Sequence, residues 1–273
     1  MRPLLTEADA RALQAQIARL REDARRRREE AEAASAAKLA AERAAFTGDC
    51  FVCRDTGVAV GTLSPCVECD RGRAIAGDAR QRRLDTILDA ANLPPRCASF
   101  TLATYPAKNI AAYRALCEFL RDWDGCQSLL LNGQYGVGKT GLIVAALRAV
   151  AEQCADGLTT TGVFFTTGVD LLDALRRGYD DGTFTPLMDR AKSVAVLAID
   201  DLGAERMTEW VIERLFAIIN ARYDACLPTF VTTNFGLEDL AERIGARSFE
   251  RLVETSRVIT VDGPNLRLRK QGV

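Results

Sequence analysis

The chain has 273 residues with 36 basic and 37 acidic side chains, a net charge of −1. That length suits one catalytic core with small appendages, and the balance excludes the global basic excess of a nucleic-acid coat, so any nucleic-acid contact is a local patch. Histidine is absent, which excludes Ser-His-Asp and Cys-His catalysis, His-ligated metals and an imidazole pH switch.

Met1 to Ala10 carry no apolar signal-peptide run, and no stretch reaches the roughly 18 apolar residues that cross a bilayer. A cytoplasmic chain with no membrane partner is expected. Residues 1–46 read as a long charged helix, because 6–46 hold neither Gly nor Pro and are dense in Ala, Arg and Glu. Leu13, Ile17 and Leu20 give it a short apolar stripe, too brief for a coiled coil. The run Arg25 to Arg28 is flanked by Glu22, Asp23, Glu29, Glu30 and Glu32, the mark of a solvated mixed-charge face.

Composition changes abruptly over 47–75, where Gly48, Gly57, Gly61, Gly72 and Pro65 surround Cys50-x-x-Cys53 and Cys66-x-x-Cys69. Twelve residues separate these two pairs, and four thiolates so spaced make a closed tetrahedral site for Zn²⁺. A module this small builds no core, so the metal would supply its folding energy. Cys97, Cys117, Cys126, Cys154 and Cys226 are expected as small buried or half-buried side chains. Residues 76–98 form a linker, with a helix over 76–95 stopped by Pro94-Pro95.

From 99 to 273 short apolar runs alternate with helical stretches. The runs are Ser128–Leu131, Gly162–Thr166, Val194–Ile199, Thr229–Thr233 and Val258–Val261, the pattern of buried parallel strands. Helices such as 139–154, 168–178, 207–224 and 237–255 lie between them. A three-layer α/β core with a five-stranded parallel sheet is the natural assembly.

Gly133-Gln134-Tyr135-Gly136-Val137-Gly138-Lys139-Thr140 fits G-x-x-x-x-G-K-S/T directly after the first strand and before a helix. With Gly141, these residues form the expected phosphate cradle. Backbone N–H groups and the helix dipole face the phosphates of ATP, Lys139 neutralises their charge and the Thr140 hydroxyl ligates Mg²⁺. The third strand ends in Asp200-Asp201, a place where carboxylates are costly unless they serve a metal or donor. Asp200 is assigned to the Mg²⁺ sphere and Asp201 to polarising the attacking water. ATPases of this class commonly carry Glu at the second position, so the shorter Asp201 implies slow turnover. Asn234, at the end of Thr229–Thr233, suits positioning that water or sensing the γ-phosphate.

Together, Pro94-Pro95, Gly133 to Thr140, Leu171-Leu172, Leu197 to Glu205, Asn220 to Tyr223, Leu227-Pro228, Thr232 to Asn234 and Gly263 with Arg267 resemble the DnaC/IstB branch of AAA+ ATPases. The resemblance covers roughly 94–268. It implies an AAA+ fold, ATP hydrolysis at subunit interfaces and an accessory role in replication or transposition. It also implies an arginine acting on the neighbour's γ-phosphate: Arg251 is the better match and Arg247 the second. Read without the family, Arg251 would pair with Glu250 or Glu254 on a helix surface. Only 262–273 follow the last strand, too few for a helical lid, a lack the branch shares. Arg267 is the tail residue expected near nucleotide.

The cysteine segment resembles those ahead of the ATPase in some DnaC-like and DnaI-like helicase loaders, where it contacts the helicase. A replicative helicase, single-stranded DNA and further copies of the chain are the implied partners. Phe164, Arg176, Arg177 and Tyr179 are candidate DNA contacts. An IstB-like transposition helper and a non-hydrolysing ATP switch are the alternatives.

Overall fold

A computed structural model of the chain describes residues 22, 25–26, 29–30, 32–59, 64–106, 110–156 and 162–266. It forms two units, Met1–Asp78 and Ala79–Val273.

In the first unit the Ala-rich composition yields helix α1 over 32–45. The apolar stripe at Leu13, Ile17 and Leu20 lies outside the described residues. Turns follow, joined by an antiparallel bridge between Val58 and Pro65. Helix α2 spans Asp70–Ala90, and its residues from Ala79 on, including the core residue Leu84, belong to the second unit. It therefore begins six residues earlier than the composition indicated, immediately after Cys69, and ends before Pro94-Pro95.

The second unit is built on a sheet of five parallel strands: β1 Ser128–Asn132, β2 Val163–Thr167, β3 Val196–Asp200, β4 Thr229–Thr233 and β5 Ser256–Thr260. Their order is β2-β3-β4-β1-β5. Strands β1 to β4 are buried on both faces because their apolar side chains alternate between two cores, whereas the edge strand β5 buries only Ile259. Leu129, Leu131, Val196, Ala198 and Phe230 face one core, while Leu130, Leu197, Ile199 and Val231 face the other. The first core is covered by α2, α3 (Ala111–Arg121) and α4 (Lys139–Ala155). The second is covered by α5 (Gly168–Asp181), α6 (Phe184–Ser193), α7 (Glu209–Asp224), α8 (Leu237–Ile244) and α9 (Ala246–Thr255).

Several boundaries differ from the sequence expectation. The stretch 237–255 is two helices, broken at Gly245 with φ +85°. Strand β5 starts two residues early because backbone pairing with β1 recruits the polar Ser256 and Arg257, which no apolar run reveals. The helices α3 and α6 were not anticipated. Cys126 and Cys226 are exposed, whereas Cys97 and Cys154 are buried. Both exposed thiols sit in turns beside strand starts.

Arg222, fully buried on α7, ties these layers together. Its Nε donates to Thr229 Oγ1 at 3.0 Å, and its Nη atoms donate to the carbonyls of Ala191, Val194, Ala195 and Pro228 at 2.6–3.3 Å. The ends of α6 and the starts of β3 and β4 are thus fixed by one side chain, so both strands reach the nucleotide end in register.

Candidate functional site

Parallel α/β sheets bind ligands at the carboxyl ends of their strands, where neighbouring connections diverge. Strand β1 has β4 on one side and β5 on the other, so such a crevice opens at Asn132. The loop 133–138 fills it. Gly133 lies so near the Val261 carbonyl that a Cβ there would collide with it, and Gly138, with φ +104°, starts α4 from a left-handed conformation. These two glycines let the loop wrap back on itself and aim the N-terminus of α4 into the cleft.

The charged groups converge on that point. Lys139 Nζ donates to the carbonyls of Gly133 and Gln134, both at 2.9 Å, and to Asn234 Oδ1. Asn234 Nδ2 in turn donates to Asp201 Oδ1 at 2.8 Å. Thr140 Oγ1 donates to Asp200 Oδ2 at 2.9 Å, and Thr232 Oγ1 donates to Asp200 Oδ1 at 2.6 Å. The Asp201 N–H donates to Thr232 Oγ1 at 2.9 Å, while Asp201 itself holds the left-handed φ of +55°. The turn after β3 therefore presents two carboxylates in different settings. Burial raises the pKa of Asp200, with the hydrogen bond from Thr232 acting against it.

A cleft of about 360 Å³ lies beside the loop. Its walls include Tyr135, Gly136, Gly138, Lys139, Thr140 and Gly141, together with Asp201 and Asn234. Six further wall residues, Arg96, Cys97, Phe100, Tyr105, Pro106 and Leu266, were not assigned to this site from the sequence. Tyr105 packs edge-on against Phe100 and stacks on Tyr113, and its hydroxyl donates to the Gly138 carbonyl at 3.2 Å. Burial pushes that hydroxyl up to about 12, so it remains a donor at neutral pH. The only sequence signal was aromatic residues in a loop just after Pro94-Pro95. The N–H of Leu266 donates to the Gly136 carbonyl at 2.8 Å, which brings the chain past β5 onto the loop. Arg267 lies outside the described residues.

Arg251 is not part of this cluster. Helix α9 runs into the start of β5, and Arg251 lines a pocket with Ser128 and Thr229, the first residues of β1 and β4. The loop 133–138 follows the opposite end of β1, and a five-residue strand spans roughly 16 Å. Arg251 is therefore remote from its own Lys139. Its guanidinium lies 5.1 Å from the Phe216 ring centre and 5.7 Å from that of Tyr223, and its Nε has no hydrogen-bond partner among the described residues. Glu254, the carboxylate expected beside it, accepts from the Tyr223 hydroxyl instead. Arg247 is exposed on the same helix.

The candidate DNA contacts divide. Phe164 is buried in the core with the Arg190 guanidinium 3.9 Å over its ring, which removes it as a stacking surface. Arg176, Arg177 and Tyr179 are exposed on α5, where Tyr179 stacks on Phe184 at 4.3 Å and Arg176 lies over Trp210 at 5.2 Å.

In the first unit the four cysteine sulfurs lie within 4.8 Å of one another. Cys50 and Cys66 are 3.7 Å apart, and Cys53 and Cys69 are 3.6 Å apart. A tetrahedral zinc with Zn–S of roughly 2.3 Å sets its sulfurs about 3.8 Å apart, so the cluster has the right size and ligand type. Local hydrogen bonds hold both knuckles open. Asp55 Oδ1 accepts from Cys50 N at 2.7 Å, Thr56 Oγ1 donates to the Cys53 carbonyl at 2.6 Å, and Gly72 N donates to Cys69 Sγ at 3.4 Å. Among the described residues, no helix is long and apolar enough to cross a membrane.

A family model described as IstB-like ATP binding protein matches residues 75–272. The chain is 27% identical over 174 residues to the replicative helicase loader DnaI of Bacillus subtilis (strain 168), a match covering 58% of this chain and 54% of that relative. It thus spans about half of DnaI's length. It is 30% identical over 159 residues to a putative ATP-binding protein in an insertion sequence of Mycobacterium tuberculosis (strain ATCC 25618 / H37Rv), covering 56% and 60%. Among solved structures, that of the DnaC helicase loader superposes with a TM-score of 0.55 at 30% identity, over 62% of this chain and all of that one. DnaI superposes with a TM-score of 0.56 at 26% identity, over 68% of this chain and all of that one. With that match running from α2 through β5 and across the whole nucleotide cleft, the chain belongs to the IstB-like ATP-binding protein family.

Proposed function

We propose that this chain is an ATP-dependent accessory protein of DNA replication that loads a replicative helicase onto single-stranded DNA, hydrolysing ATP at interfaces between copies in the cytoplasm. The observation that carries the ATPase part is the linked pair of contacts Lys139 to Asn234 to Asp201 and Thr140 to Asp200. In this reading Lys139 and the N–H groups of 133–138 bind the phosphates, and Thr140 and Asp200 hold Mg²⁺, which supplies charge neutralisation. Asp201 orients and polarises the attacking water, and Asn234 keeps that carboxylate in place. Arg251 serves the site of a neighbouring copy, a reading supported by its distance from its own Lys139. The four cysteines hold a structural zinc, and their module docks the helicase. Likeness to DnaI supports the loader role.

A second reading, a helper ATPase in transposition, is favoured by the insertion-sequence relatives. A third, an ATP switch that does not hydrolyse, rests on Asp201 standing where ATPases of this class commonly have Glu.

ATP turnover with and without single-stranded DNA, measured on Lys139→Ala, Arg251→Ala and their mixture, tests the site. Each variant alone is expected to lose turnover, and mixing is expected to restore a fraction, because one copy then supplies the intact cradle and the other the arginine. A mixture as inactive as its parts rules out shared sites, and a parent without turnover at high concentration favours the switch. Co-purification with the host's replicative helicase in the presence of ATP tests the loader. Binding to a transposase instead selects the second reading.

A further inference from the structure

The phosphates of ATP carry more negative charge than Lys139 alone balances, and Arg251 lies at the far end of the sheet. Arg96 is another cation in the cleft. It follows Pro94-Pro95 on a loop outside every nucleotide motif, is exposed to solvent, and lines the same cleft as Lys139, Thr140 and Asp201. Phe100, Tyr105 and Leu266 are the apolar part of that cleft's lining, suited to a planar base, whereas Arg96, Lys139 and Asp201 are its charged part. Its charge acts on Asp200, and it neighbours the buried Cys97. Among the described residues no carboxylate hydrogen-bonds its guanidinium. An arginine fork matches a phosphate edge with two parallel hydrogen bonds, which a lysine point charge does not.

We infer that Arg96 is a same-subunit phosphate ligand that grips the terminal phosphate of ATP and makes the isolated protomer prefer ATP over ADP. The inference rests on the nucleotide reading of this cleft and goes beyond it: the chain discriminates between the two nucleotides before any neighbour contributes Arg251. The geometry gives the reason. Thr140, bonded to Asp200, marks where Mg²⁺ and the terminal phosphates belong, and Arg96 is the one arginine that lines the cleft with it among the described residues. Pro94-Pro95 restricts the backbone just before it, so little backbone freedom is lost when the loop engages a ligand.

Calorimetric titration of the full chain with MgATP and MgADP, held at a concentration where it is monomeric, tests this. Arg96→Ala is expected to weaken ATP by about tenfold or more while ADP changes by less than about threefold, since a charged hydrogen-bonding contact to one phosphate is lost. Arg96→Lys is expected to fall between the parent and Arg96→Ala, because it keeps the charge and loses the fork. Unchanged melting of both variants in the absence of nucleotide separates ligand contact from misfolding. Equal losses for ATP and ADP, or none for either, overturn the inference while leaving the cleft as the nucleotide site. ATP binding by Lys139→Ala as tight as the parent's would overturn the nucleotide reading itself and Arg96's role with it.

Discussion

Asp200 sits where burial and chemistry oppose each other. Only 3% of it is exposed, and burial raises its pKa, although hydrogen bonds from Thr232 and Thr140 and the charge of Arg96 act in the other direction. A carboxyl whose folded-state pKa lies above its unfolded value stabilises the fold at low pH, and that contribution is lost as pH rises through the folded-state value. At pH 7 the ionised group is therefore a net liability to stability, kept at a site that needs the charge. Asp200→Asn is expected to melt higher than the parent at pH 7. The gain should shrink as pH falls toward about 4, the range where unfolded Asp titrates, and turnover should be lost throughout. A melting scan of both proteins across that range checks it; a variant that melts lower at pH 7 means the hydrogen bonds outweigh burial. Glu205, buried just after the same turn with its Oε1 unpartnered, belongs to the same class of group. Asp200 and Asp201 stood out in the sequence because an apolar strand ending in Asp-Asp has few structural explanations, whereas Glu205 was not singled out. Arg96, Phe100 and Tyr105 did not stand out, because a loop has no periodicity to betray which side chains face a cleft.

At the scale of elements, the strands and the loop after β1 were legible because both-sides burial forces continuous β-branched and leucine-rich runs, and because each glycine position in that loop answers a backbone demand. What the pattern hid was the break at Gly245. The apolar spacing of 237–255 continues through it, and only backbone geometry shows that α8 and α9 are separate, since Gly245 takes φ +85°. The break aims α9, and with it Arg251, along a direction that a continuous helix would not give. Gly245→Ala is expected to destabilise the fold by about 1–3 kcal/mol, the cost of holding a non-glycine residue in a rare backbone region. Denaturant unfolding measures it, and a midpoint equal to the parent's would mean the two helices rejoin without penalty. Strand β5 makes the complementary point: Ser256 and Arg257 pair with β1 through backbone groups alone, so no side-chain pattern announced them.

Across the whole molecule the two units are stabilised by different means, and that difference predicts how each responds to loss of metal. The buried apolar cluster of the first unit consists of Cys50, Cys53 and Cys66, with Cys69 packed against it. Those side chains are ligands rather than a core, and their thiolates repel one another without a cation between them. In the second unit, two clusters of leucine, isoleucine, valine and alanine enclose the sheet and need no metal. A strong zinc chelator under reducing conditions is therefore expected to expose 47–69 to protease and abolish one thermal transition. The transition of the ATP-binding unit, and its affinity for nucleotide, should stay where they were. Cys53→Ser should reproduce the effect without chelator, because removal of one ligand leaves three thiolates and an open position. A segment 50–69 that resists protease after chelation would show that local hydrogen bonds such as Asp55 to Cys50 and Thr56 to Cys53 hold the knuckles unaided. Loss of both transitions together would mean that the two units unfold as one, and that the metal stabilises the ATPase as well.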